Sequence, residues 1–174
     1  MLAHCLTGLR LLLALPVALT LAGNALLSPP LLLLCLLAAI ASDVLDGKVA
    51  RRQGTASAAG QLFDHTTDCI FVSSGLAGAA YAGLVPIWLP PLVAIAFIQY
   101  VLDSRWRQRR KALRMSVIGR WNGVLYFVPL VLLALAWQAW LQPVAAPLYL
   151  LAHGLVWVLV ASTLLSIVDR ALAR

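Results

Sequence analysis

Every acidic residue in this 174-residue chain is an aspartate, and four of the six lie between Asp43 and Asp68. Asp43 and Asp46 are three positions apart, Asp64 and Asp68 four apart. Residues at those spacings share one face of an α-helix, so the stretch predicts two dicarboxylate faces joined by a connection that contains glycine and arginine. Apposed, the two faces offer oxygen donors only, which suits Mg²⁺, Mn²⁺ or Ca²⁺ rather than zinc or copper. One ion or two could be held, and paired metals act on phosphoryl groups by clamping the attacking and leaving oxygens. A diphosphate is the expected substrate class. Gly47 and Gly60 remove side chains where a ligand could approach the helices. Arg51 adds a planar, permanently charged donor for phosphate oxygens, whereas Lys48 and Arg52 read as membrane-surface charges.

The elements that must position these groups are membrane helices. The chain is 63% hydrophobic and only 11% charged, with a mean hydropathy of +0.94, far from the composition of a soluble domain. Six apolar windows, residues 7–27, 31–51, 58–82, 87–106, 119–141 and 147–172, approach the ~20 residues a spanning helix needs. They predict an all-α integral membrane bundle of six transmembrane helices, forming a single domain over residues 1–174. The first window reads as a mature span rather than a cleaved leader. All thirteen Lys and Arg residues fall at Arg10, in 48–52, in 105–120 and in 170–174. By the positive-inside rule both termini and the two basic loops are cytoplasmic. The net charge of +7 thus reports topology and argues against a nucleic-acid partner.

Several features have ordinary roles in such a bundle. Trp88, Trp137 and Trp140 sit where interfacial aromatics anchor spans, with Trp106 and Trp121 flanking a basic loop. Pro16 and Pro129 lie inside spans and predict kinks. Gly75, Ala77, Gly78, Ala79 and Ala80 predict close helix packing, within a protomer or across a homodimer. Cys5, Cys35 and Cys69 stand far apart and predict neither disulfide nor zinc site. Four aspartates at membrane depth are different, because each costs about 2.5–3.5 kcal/mol on insertion scales.

Read in full, the stretch is D-x2-D-G-x2-A-R-x8-G-x3-D-x3-D, and it resembles the signature of the CDP-alcohol phosphatidyltransferase family, with each signature position filled. The resemblance implies transfer of a phosphatidyl group from CDP-diacylglycerol, or of a related group from another CDP-alcohol, to an acceptor hydroxyl with release of CMP. It implies that Asp43, Asp46, Asp64 and Asp68 bind Mg²⁺ or Mn²⁺, two ions in all, and that Asp68 is also the general base. Gly47, Arg51 and Gly60 would cradle the CDP moiety. Leu6-Thr7-x2-Arg10 with Pro16 is similar to the family's N-terminal N-x2-T-x2-R element, with His4 where Asn is usual, and places Thr7 and Arg10 on the nucleotide side. The site would face the cytoplasm, in a multi-pass protein of a bacterial inner membrane.

Acceptor choice is less legible. Glycerol 3-phosphate is the first expectation, with Arg114 and Arg120 as its contacts; inositol phosphate, serine and phosphatidylglycerol are alternatives. His65 stands where the family often has Pro or Ser, and Cys69 where it is often basic. His65 is expected to pack or hydrogen-bond, since it points about 100° from Asp64 around a helix, and His153 to bond across to a neighbouring helix. Two other classes fit less well. A cation transporter would scatter acids through the membrane, and an aromatic prenyltransferase would need a longer bundle and another acid spacing.

Overall fold

The computed structural model describes the backbone of residues 2–52, 57–102 and 117–172, and the side chains within them except those of 2–6, 46–52, 58, 117 and 118. Among these residues the chain is all-helical. α1 (Leu2–Leu21), α2 (Pro29–Arg52), α3 (Ala58–Tyr81) and α4 (Leu89–Leu102) are followed by α5 (Val117–Leu125), α6 (Phe127–Ala136) and α7 (Ala145–Leu172), with a 3₁₀ turn at Ala139–Val144. Two stretches, Gly119–Ala136 and Ala139–Leu172, are long and apolar enough to cross a membrane.

Local chemistry sets the helix ends. α1 stops at Leu21, short of the predicted end at residue 27, because Gly23 adopts φ 99°. There the Gly23 N–H bonds the Thr20 carbonyl and the Asn24 N–H bonds the Leu19 carbonyl, a left-handed C-terminal cap that glycine enters without steric penalty. Gly83, at φ 73°, closes α3 in the same way through Ala80 and Ala79. At the other end of α3, the Ser57 hydroxyl accepts the Gly60 N–H at 3.0 Å, the bond expected of an N-cap serine. The fifth predicted window is two helices that break at Tyr126, three residues before Pro129, where proline cannot donate to the preceding turn.

The bundle is apolar outside as well as in its core, and it buries a few polar groups. Leu12, Leu34, Leu150 and Leu172 are exposed, whereas Arg10, Gln138, Asn122 and Thr163 are buried among the core aliphatics. An apolar surface of that extent suits a lipid exterior better than water. Hydroxyls within the helices bond backwards to their own turns, as Thr67 does to Phe63 and Ser74 to Phe71, which satisfies them without solvent. α1 packs against α2 and α3, and α7 against α4, α5 and α6, with α2–α6 and α3–α4 contacts joining the two groups. Phe71 stacks on Phe127 between them, ring centroids 5.8 Å apart.

The small residues of α3 serve packing inside the chain: Gly78 faces the Ala18 backbone of α1 and Gly75 faces Leu130 of α6. Trp88 and Trp140 are exposed, as interfacial anchors should be, but Trp137 packs against the core. His153 corrects the expectation of a bond between helices. Its Nε2 accepts from Trp157 Nε1 at 3.1 Å on the same exposed face of α7, because residues four apart on one helix are nearest neighbours.

Candidate active site

α2 delivers Asp43, and α3, begun by its serine cap, delivers Asp64 and Asp68 one turn apart about two turns further on. All three meet one cation. The Arg10 guanidinium, from α1, is fully buried. Its Nη1 donates to Asp64 Oδ1 at 3.2 Å and to Asp68 Oδ1 in a very close contact, and stands 3.4 Å from Asp43 Oδ1. Its Nε donates to Ser42 Oγ at 3.3 Å, and that hydroxyl donates to the Ala39 carbonyl at 2.8 Å. Among the described residues, three carboxylates against one guanidinium leave a formal charge of about −2 in a partly desolvated place, where Coulomb terms are several-fold stronger than in water. The carboxylates retain access: Asp43 is 39% exposed, Asp64 23% and Asp68 22%.

Donor chemistry and spacing fit a hard cation. Oxygens of Asp64 and Asp68 and a ring nitrogen of His65 lie within 4.8 Å of one another. Ligands sharing one ion at about 2.1 Å are at most about 4.2 Å apart, so a modest closure completes the set. His65 is thus nearer the acids than its position around the helix implied. Its ring also packs edge-on against Tyr100, centroids 6.3 Å apart, which agrees with the expected packing role.

Beside the acids opens a cavity of about 560 Å³, walled by α2 to α7. Asp43, Asp68 and Arg120 line it together with His65, Tyr100 and Arg170. Much of the remaining wall is apolar, including Leu37, Val72, Val93 and Val131. The Arg170 guanidinium lies 5.3 Å from the Tyr100 ring centroid, within cation–π range. Asn122 and Tyr126 add a fixed polar wall. The Asn122 Oδ1 accepts from Ser162 at 2.7 Å, and the Tyr126 hydroxyl bonds Thr163 Oγ1 at 2.7 Å.

Against the sequence expectations, the structure unites Asp43, Asp64, Asp68 and Arg10 and puts Arg120 on the adjoining cavity. Thr7 is buried on α1, one turn before Arg10. Gly60 sits in the first turn of α3, where a β-carbon would meet Ser57 Oγ at 3.2 Å. Asp46, Gly47, Arg51 and Arg114 lie outside the described side chains. Sequence reasoning missed Ser42, Tyr100 and Arg170. Only Ser42, adjacent to Asp43, carried any local signal.

The whole-chain pattern agrees with this geometry. The family model for CDP-alcohol phosphatidyltransferase matches residues 1–168, and the chain belongs to that family. Among curated proteins it is similar to a cardiolipin synthase (CMP-forming) of Streptomyces coelicolor, 32% identical over 110 residues. That match covers 60% of this chain, which spans 50% of the relative. No solved structure matches the chain closely enough to carry an argument. Family and apolar exterior together mark a membrane protein.

Proposed function

We propose that this protein is a phosphatidyltransferase that moves a phosphatidyl group from CDP-diacylglycerol to an alcohol and releases CMP. One observation carries the reading: aspartates of α2 and α3 stand together beside a cavity whose lining is largely apolar. That is the arrangement a substrate with a charged diphosphate and a hydrocarbon body requires. Asp43, Asp46, Asp64 and Asp68 would hold Mg²⁺ or Mn²⁺, two ions. When bound, such ions polarise the diphosphate and stabilise the departing phosphate charge.

The chain's own residues do the rest. Asp68 would take the acceptor's hydroxyl proton, a role supported by its lying on the cavity wall beside Asp43. The acceptor oxygen then bonds to the phosphorus that carries diacylglycerol, the bridging P–O bond of the diphosphate breaks, and CMP leaves with that electron pair. Gly47, Arg51 and Gly60 would hold the CDP moiety, with Thr7 behind it.

Two acceptors fit different parts of the cavity. The apolar wall and the relative named as a CMP-forming cardiolipin synthase favour phosphatidylglycerol, a lipid alcohol. Arg120 and Arg170 on the cavity wall favour a phosphate-bearing acceptor such as glycerol 3-phosphate. We place the site at the cytoplasmic face of a six-span homodimer in a bacterial inner membrane; the distribution of Lys and Arg supports the cytoplasmic side of that reading. Purified protein incubated with CDP-diacylglycerol, Mg²⁺ or Mn²⁺ and each acceptor in turn tests the proposal. Metal-dependent CMP release with one of them is the expected result, and no CMP with any of them refutes it.

A further inference from the structure

A guanidinium NH₂ group has two protons to donate, yet three carboxylate oxygens converge on Nη1 of Arg10. Two of them, on Asp64 and Asp68, accept hydrogen bonds; the third, on Asp43, is held at 3.4 Å by charge. Oxygens from two helices thus form a cluster about one point, wider at Asp43 than a metal's own ligand set. The nitrogen at its centre belongs to a side chain that cannot lose its charge and whose other end is steadied by Ser42.

We infer that Arg10 is a built-in competitor of the divalent cation, its guanidinium holding the convergence point of Asp43, Asp64 and Asp68 until a metal ion drives it off. The inference rests on the reading of these aspartates as the metal ligands. An ion about 2.1 Å from the same oxygens would lie within a few ångströms of Nη1, where two cations in a low dielectric repel strongly. The ligands cannot serve both at full strength. Arg10 thereby keeps three mutually repelling carboxylates together without a metal, and sets the affinity with which one is taken up. Displaced, the guanidinium is a planar donor beside the place where a diphosphate would bind.

The test is metal binding, measured apart from catalysis. Mn²⁺ is titrated into detergent-purified wild type, Arg10→Gln and Arg10→Lys, with free Mn²⁺ read by electron paramagnetic resonance, and each protein is melted with EDTA and with saturating Mn²⁺. Arg10→Gln should bind Mn²⁺ at least tenfold more tightly than wild type, and Arg10→Lys, which retains the charge, within a few-fold of wild type. Arg10→Gln should also melt lower than wild type in EDTA, the gap narrowing in Mn²⁺. Unchanged or weaker Mn²⁺ binding by Arg10→Gln overturns the inference. Should that variant fail to fold, Ser42→Ala, which loosens the guanidinium and leaves every carboxylate in place, should bind Mn²⁺ several-fold more tightly; unchanged or weaker binding there overturns it equally. Absence of CMP release from the wild type would refute the transferase reading while leaving these affinities to decide the role of Arg10.

Discussion

Gly78 of α3 rests directly on the backbone of Ala18 in α1: a β-carbon at Gly78 would stand 2.9 Å from the Ala18 carbonyl carbon and closer still to its oxygen. Backbone, unlike the tip of a flexible side chain, has little room to give. This contact lets α1 lie close enough to α3 for Arg10 to reach Asp64 and Asp68. Gly78→Ala should therefore force the helices apart, with a loss of about 1–3 kcal/mol typical of overpacking and weakened metal-dependent turnover. Gly75→Ala is the control, because its new methyl meets the movable Leu130 Cδ1 at 3.0 Å and should lower the melting temperature less. Thermal melting of both variants in detergent checks the order.

Asp68→Asn keeps the shape of the residue and removes the charge on which the proposed base and metal-ligand roles depend. General-base loss alone is worth roughly 10²–10⁴-fold, so CMP release should fall by at least that factor while the helical circular dichroism is retained. Near wild-type turnover would remove Asp68 from the reaction.

Ala96 lines the cavity from α4. Ala96→Leu should fill space that a lipid acceptor needs. A misfit of one or two methylenes in an apolar pocket is worth about tenfold or more, so kcat/KM for phosphatidylglycerol should drop by that order while the value for glycerol 3-phosphate changes less. Parallel assays with the two acceptors distinguish this from a general loss of fold.

Arg120 and Arg170 face the same cavity. If they receive a phosphate, Arg120→Gln and Arg170→Gln should each raise KM for a phosphate-bearing acceptor about tenfold, the scale of one charged hydrogen bond, with little change for an uncharged alcohol. Equal effects on both acceptors would place these arginines outside acceptor recognition.

Some of this was written locally in the chain. Carboxylates three and four residues apart declare a helical face whatever surrounds them, and four aspartates clustered in so apolar a chain offer oxygen donors for a cation. The helical character of the chain was legible from hydropathy, since an apolar run of that length must satisfy its own backbone hydrogen bonds. Helix ends were legible only where a cap residue was obvious. Gly23 ended α1 six residues before the hydrophobic run did, because a left-handed cap depends on backbone conformation and not on polarity.

What the sequence alone determined is therefore the set of acidic groups that lie close along the chain, Asp43, Asp46, Asp64 and Asp68, together with the apolar helices that carry them. Only the tertiary structure decided what faces them. Arg10 is 54 and 58 positions away from Asp64 and Asp68, and Tyr100, Arg120 and Arg170 reach the cavity from three further helices. Helical periodicity extends a few turns at most; beyond that, partners are chosen by which surfaces pack. Here a glycine seated on an alanine carbonyl brings a buried arginine into the midst of the acids.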